Sequence, residues 1–269
     1  MNYIKYIHSV DGTTLYVKVN ENVNSSANII ICHGLAEHLD RYDEISNYLQ
    51  EKNFNIIRFD QRGHGRSGGK RTFYSNVNEI VEDLDAVINF TKEHYKGNIY
   101  LIGHSMGGYG SVLYSTKNPG KINGLIISGA VTRYNQKTFG DIDDTIDRNK
   151  YINYEIGEGV CSDTFELEKY RLDALTEKKV SYGLIYTVLE GVKGLVENAQ
   201  YFDDNILILH GKDDGLVHYS DSLDFYKNIS SSKKELHIYD GLQHEIFNER
   251  KKNKEIFSEI ANWINNDLT

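Results

Sequence analysis

The sequence predicts an α/β protein: a mostly parallel sheet with helices on both faces and an inserted helical lid. Three observations predict it. Short β-branched runs bounded by turn residues alternate with longer helical stretches. Most of those runs are continuously apolar, the pattern of central strands covered on both faces. One stretch, residues 131–202, breaks the rhythm with about 72 residues that hold no clear strand.

In chain order, runs 3–8 and 14–19 flank Asp11-Gly12, a turn dipeptide, and read as a hairpin. The strand-like runs that follow are 28–32, 55–59, 98–102, 122–128, 205–209 and 235–239. Helical stretches lie near 40–52, 79–95, 106–118, 219–228 and 252–268. In 79–95, for example, Ile80, Leu84, Val87, Ile88 and Thr91 share one helical face. The interrupting stretch carries 9 Lys/Arg against 13 Asp/Glu, a net of −4, with Asp141, Asp143, Asp144 and Asp147 clustered. Leu184, Ile185, Val188, Leu189 and Val192 give it an apolar helical face, and a structureless loop of that length is out of keeping with a compact domain. Residues 1–130 and 203–269 are therefore expected to form the core, and 131–202 a helical lid.

Composition narrows the function classes. The chain has 269 residues, 39% hydrophobic and 26% charged, which excludes an intrinsically disordered protein. A chain this long buries enough surface to need no disulfide or metal staple. The net charge is −9 and the basic runs, Lys233-Lys234 and Arg250-Lys251-Lys252, are short, so no nucleic-acid partner is expected. Two distant cysteines, Cys32 and Cys161, make no disulfide framework and point to a reducing compartment. Residues 1–10 show no secretory h-region, and apolar runs such as 29–32 fall far short of the ~20 residues that span a bilayer. The expected location is cytoplasmic, with at most transient membrane contact. Oligomeric state is left open.

The chemistry centres on Gly103-His104-Ser105-Met106-Gly107, a G-x-S-x-G between a buried strand and a helix. In such an elbow the serine sits on a strained turn at a helix N-terminus, and the glycines let neighbouring chain pass close by. A serine hydroxyl needs a base, and the expected chain order is Ser, then Asp or Glu, then His. His210-Gly211-Lys212-Asp213-Asp214 follows one late strand and Asp240-Gly241-Leu242-Gln243-His244 the next, both at strand C-termini. His244 is the candidate base; Asp213 and Asp214 compete to orient it. The strand 28–32 ends in His33-Gly34-Leu35, so the N–H groups of Leu35 and Met106 are the candidate oxyanion donors.

Three other patterns are set aside. Gly63-His64-Gly65-Arg66-Ser67-Gly68 matches G-x-G-x-x-G, but Asp60-Gln61-Arg62 separate it from the strand and the next helix begins only near residue 79. Gly69-Lys70-Arg71 lacks the Ser/Thr and the earlier glycine of a P-loop. His33, Glu37 and His38 fit neither zinc-peptidase spacing, so no metal is expected.

Three motifs carry a family resemblance. His33-Gly34-Leu35-Ala36-Glu37-His38-Leu39-Asp40-Arg41-Tyr42 is similar to H-G-x-x-E-H-x-x-R-Y, Asp60-Gln61-Arg62-Gly63-His64-Gly65-Arg66-Ser67 to D-x-R-G-H-G-x-S, and Gly103 to Gly108 to G-H-S-M-G-G. Together with His210-Gly211-x-x-Asp214 and the late His244, the chain resembles the monoacylglycerol lipase and lysophospholipase-like branch of the α/β-hydrolase superfamily over about residues 10–130 and 203–268. The resemblance implies an α/β-hydrolase fold and selects Asp214 over Asp213. It places Glu37 and Arg41 near the alcohol end of the pocket as candidate substrate-binding residues, the alternative being an ion pair that holds the H-G loop. The segment 131–202 departs most from the family, being acidic, tyrosine-rich and without proline. The implied function is a serine hydrolase that cleaves esters of single-acyl lipids through an acyl-enzyme, with no cofactor. An amidase, peptidase or thioesterase on the same fold and a non-catalytic binding protein are the alternatives; a haloalkane dehalogenase would have Asp where Ser105 stands.

Overall fold

The computed structural model describes residues 1–141, 143 and 145–269; Asp144 of the acidic cluster lies outside the described residues. The strands are β1 (Asn2–His8), β2 (Thr14–Asn20), β3 (Ala27–Cys32), β4 (Phe54–Phe59), β5 (Asn98–His104), β6 (Gly124–Ser128), β7 (Tyr151–Asn153), β8 (Lys179–Ser181), β9 (Ile206–Gly211) and β10 (Lys234–Tyr239). The helices are α1 (Asp43–Glu51), α2 (Asn78–His94), α3 (Met106–Lys117), α4 (Thr164–Leu172), α5 (Tyr182–Asn198), α6 (Ser220–Asn228) and α7 (Asn253–Leu268). Among the described residues, one sheet runs β1-β2-β4-β3-β5-β6-β9-β10. Every neighbouring pair from β4 to β10 is parallel, while β2 is antiparallel to both β1 and β4.

The continuous apolar runs have the expected cause. Every residue of β3, β4, β6 and β9 is buried. Side chains alternate between two cores, because successive residues of a strand point to opposite faces. Ile30, Cys32 and Leu101 pack with Leu84 and Val87 of α2 and Val112 of α3. Ile29, Ile31 and Ile102 pack with Leu49 of α1 and Ile256 and Ile260 of α7. No helix among the described residues is long and apolar enough to cross a membrane.

Among the described residues, the segment 131–202 holds two α-helices and also two strands that the sequence pattern does not reveal. β7 and β8 pair antiparallel over three residues each, Tyr151 with Ser181, Ile152 with Val180 and Asn153 with Lys179. A three-residue run is too short to show a period of two, and its partner lies far along the chain. Helix α5 carries the anticipated apolar face: Leu184, Ile185 and Val192 join the core beside α3, with Val188 and Leu189 partly buried against it, and Leu195, not anticipated, extends the face. Gly191 makes this approach possible, since a Cβ there would stand 1.8 Å from the Tyr109 hydroxyl oxygen.

Candidate active site

Ser105 stands between the end of β5 and the first residue of α3 with φ 51° and ψ −117°. Left-handed φ on a residue with a Cβ is strained, and it persists only where the surroundings over-determine it. They do so here. A Cβ on Gly107 would lie 2.3 Å from the Cys32 carbonyl oxygen, and one on Gly103 2.6 Å from that of Gly107. Ser105 N–H donates to the Ser128 carbonyl at 2.9 Å, fastening the elbow to β6. The glycines of the motif are thus spaces for β3 and α3 backbone.

Asp214 is buried after β9, and His244 is buried after β10. His244 Nδ1 donates to Asp214 Oδ2 at 2.6 Å, leaving Nε2 as the acceptor nitrogen. The same Oδ2 also accepts from His210 Nε2 at 3.0 Å, while Oδ1 accepts from the N–H groups of Leu216 and Val217, both at 2.8 Å. Burial alone would raise the Asp214 carboxyl; the His244 charge and the bonds from both imidazoles hold it far below the usual range. Asp213 is exposed. His210 was legible only as part of the H-G-x-x-D string; its role as a second donor to Asp214 was not.

For His244, burial opposes protonation, yet Asp214, Glu245 and Glu37 outweigh it and hold the imidazole above its ordinary value. His104, whose ring centroid lies 4.6 Å away, stays neutral: burial and then the His244 charge push it down to about 3. A histidine base works as the neutral imidazole, so kcat/KM is expected to fall as pH drops through a midpoint above about 6.5. A pH profile of kcat/KM checks this, and a midpoint at or below that value contradicts the raised imidazole.

The turn after β3 meets the elbow directly. A Cβ on Gly34 would lie 3.3 Å from Ser105 Cβ. Leu35 follows, then Ala36 at φ 62°. Met106 is the first residue of α3, where an N–H has no intrahelical acceptor. The D-x-R-G-H-G-x-S loop braces this turn. Gln61 N–H donates to His33 Nε2 at 2.9 Å, its side-chain amide donates to the His33 carbonyl at 2.5 Å, and Asp60 accepts from Leu39 N–H at 2.8 Å.

Glu37 and Arg41 are both buried. Glu37 Oε1 accepts from Gly34 N–H at 2.5 Å and from the Tyr42 hydroxyl at 2.6 Å; Oε2 accepts from Arg41 Nε at 2.9 Å. Arg41 Nη2 reaches Glu245 Oε2 at 2.6 Å. Glu245, which sequence patterning did not single out, closes this buried group beside His244.

Two cavities meet at Ser105. The larger has about 620 Å³ of empty space, counting the part open to solvent, and α5 lines it with Leu184, Ile185, Val188 and Leu189. Leu35, Met106 and the polar side chains of Arg133, Gln136, Thr138 and Asp221 also line it. The smaller holds His244, His104, Glu37, Glu245, Tyr154 and Tyr170. Glu37 is therefore in a wall of the site, with Arg41 behind it. No hydrogen bond joins the Ser105 hydroxyl to His244 among the described residues, though both line the smaller cavity.

Residues 131–202 also hold the site by their backbone. The Gly159 carbonyl accepts from His244 N–H at 3.2 Å and from Gly215 N–H at 2.9 Å, and the Val160 carbonyl from Glu245 N–H at 2.8 Å. On the other side, the Ala36 carbonyl accepts from Glu177 N–H at 2.9 Å and from the Tyr170 hydroxyl at 3.2 Å.

Residues 24–251 match the Hydrolase_4 family, described as serine aminopeptidase, S33. A "Monoglyceride lipase homolog" of Monkeypox virus is 28% identical, with 96% of each chain covered. The "Monoacylglycerol lipase" of Mycolicibacterium smegmatis is 25% identical, covering 88% of this chain and 87% of its own. A soluble variant of monoglyceride lipase from Saccharomyces cerevisiae, solved with a substrate analogue, shares the fold with a TM-score of 0.86 at 21% identity, over 99% of this chain and 96% of that one.

Proposed function

The chain belongs to the Hydrolase_4 family of serine hydrolases, and from that membership we propose that it cleaves the carboxylic ester of a single-acyl lipid, of the monoacylglycerol or lysophospholipid type. The observation that carries this is the contrast between the two cavities at Ser105. One has the aliphatic side chains of α5 along one side, with Arg133, Gln136, Thr138 and Asp221 elsewhere in its lining; the other gathers His104, His244, Glu37, Glu245, Tyr154 and Tyr170 beside Ile156 and Val160. An amphiphilic ester fits that contrast, with its hydrocarbon chain in the first and its polar alcohol in the second.

In the proposed mechanism Ser105 Oγ attacks the ester carbonyl while His244 Nε2 takes its proton. Asp214 holds the imidazole and stabilises the imidazolium. The N–H groups of Leu35 and Met106 receive the oxyanion. Collapse breaks the ester C–O bond, the alcohol leaves with the proton from His244, and an acyl group remains on Ser105. Water, deprotonated by His244, then releases the acid. These steps call on no cofactor. A panel of monoacylglycerols, lysophospholipids and aminoacyl amides tests the substrate class, and hydrolysis confined to the amides overturns it.

Residues 131–202 act in this reading as a lid that selects the acyl group. Leu189→Ala and Val188→Ala trim half-buried side chains from the cavity wall. Each is expected to change the kcat/KM ratio between short and long acyl esters by about 10-fold or more, the scale of roughly 1–3 kcal/mol per methylene-sized change in an apolar pocket. An unchanged acyl-length profile across both variants places the acyl group elsewhere.

A further inference from the structure

Glu245, Arg41 and Glu37 form one buried chain between the two loops that the proposed reaction needs in register. At one end Glu37 Oε1 holds the N–H of Gly34, the residue before the Leu35 donor, at 2.5 Å. In the middle the Arg41 guanidinium spans both carboxylates, with Nε on Glu37 at 2.9 Å and Nη2 on Glu245 at 2.6 Å. It lies over the Tyr170 ring at 4.8 Å. At the other end Glu245 follows His244 in the chain and also accepts from Asn248 Nδ2 at 2.8 Å. The three side chains are 3% to 8% exposed.

Such an arrangement is a poor stabiliser. Buried ions lose hydration that their mutual attraction barely returns, and apolar residues of similar volume would often do as well. What two carboxylates on one planar guanidinium supply is geometry: the fork fixes both distance and angle, which a lysine cannot do. We infer that Glu245 is a positioning residue, holding His244 in register with the oxyanion turn through Arg41 and Glu37. This rests on the serine-hydrolase reading above. It assigns Arg41 to alignment of the site rather than to contact with the alcohol.

With both carboxylates ionised the chain carries one negative charge in excess beside the base, although burial and Glu37 push the Glu245 carboxyl up against the pull of Arg41. The groups that face His244 are Asp214 from the turn after β9, His104 from the end of β5, Glu37 from the turn after β3, and Glu245 on its own loop. Asp214 acts on the imidazole most strongly; Glu245 and Glu37 add to it in the same direction.

Glu245→Gln keeps the shape and an acceptor for Arg41 but removes the charge. The expected result is a kcat lower by about ten- to a hundred-fold, the cost of a small misplacement, with KM within about two-fold. The acid limb of kcat/KM is expected to move to lower pH. Arg41→Lys keeps the buried charge but breaks the fork; it is expected to lower kcat without moving KM, and it carries the test if Glu245→Gln melts below the assay temperature. Both variants should still take one fluorophosphonate per chain at Ser105, more slowly than wild type. A raised KM with unchanged kcat makes these residues alcohol contacts and overturns the inference, as does an unchanged kcat with an unmoved acid limb. Wild-type protein that takes no probe at Ser105 refutes the hydrolase reading instead.

Discussion

Alanine at Ser105 is expected to abolish ester hydrolysis and covalent labelling together, while the protein stays folded. Wild-type protein should take a single fluorophosphonate adduct, and the variant none. The loss in kcat is expected on the order of 10⁶, because members of such a triad act as a unit. The fold should survive for a reason visible at the elbow. The positive φ of 51° is already borne by a residue with a Cβ, so alanine adds no backbone strain. The hydroxyl also makes no hydrogen bond within the fold among the described residues, so removing it orphans no partner. A melting temperature within a few degrees of wild type, beside lost labelling, separates the chemical role from a structural one. Equal labelling of both proteins would sink the assignment.

Legibility in the sequence followed the range of the interaction. The elbow is local: a buried strand, a glycine-flanked serine and a helix lie within 20 residues, and each leaves a periodic or compositional trace. The two-faced strands were readable for the same reason, since full burial of β3, β4, β6 and β9 demands unbroken apolar runs. The α5 face was readable from its helical spacing. Contacts made by backbone groups across long separations leave no trace. Nothing in Gly159 and Val160 announces that their carbonyls hold the N–H groups of His244 and Glu245. β7 and β8 are invisible for the same reason. Glu245 looks like any acidic loop residue until Arg41, 204 positions earlier, is seen to reach it. Residues 131–202 contact the loop that carries His244 on one side and the turn that carries Ala36 on the other, and no run of residues within them spells that out.

Asparagine at Asp214 is expected to cost on the order of 10⁴ in kcat, the size of the corresponding effect in an unrelated serine triad. The argument is one of donors and acceptors. Asp214 accepts four hydrogen bonds, two at Oδ1 from Leu216 and Val217 N–H and two at Oδ2 from His210 and His244. An amide has one oxygen, and the paired backbone donors claim it. Its NH2 group then faces both imidazoles, where His210 Nε2 is already committed as a donor to the Val217 carbonyl at 2.8 Å. His244 can accept that NH2 only by moving its proton to Nε2, the tautomer that cannot take a proton from Ser105. Losing the anion also removes the main force holding the imidazole above its ordinary value, so the acid limb of the residual activity should move to lower pH. Asp213→Asn is the control. Its side chain is exposed, and its anchoring contact is a backbone one, its N–H to the Leu242 carbonyl at 2.9 Å. It should retain kcat within a few-fold. Steady-state kinetics on the two variants across pH decides the matter: a severe Asp213→Asn beside a mild Asp214→Asn reverses the assignment of the orienting acid.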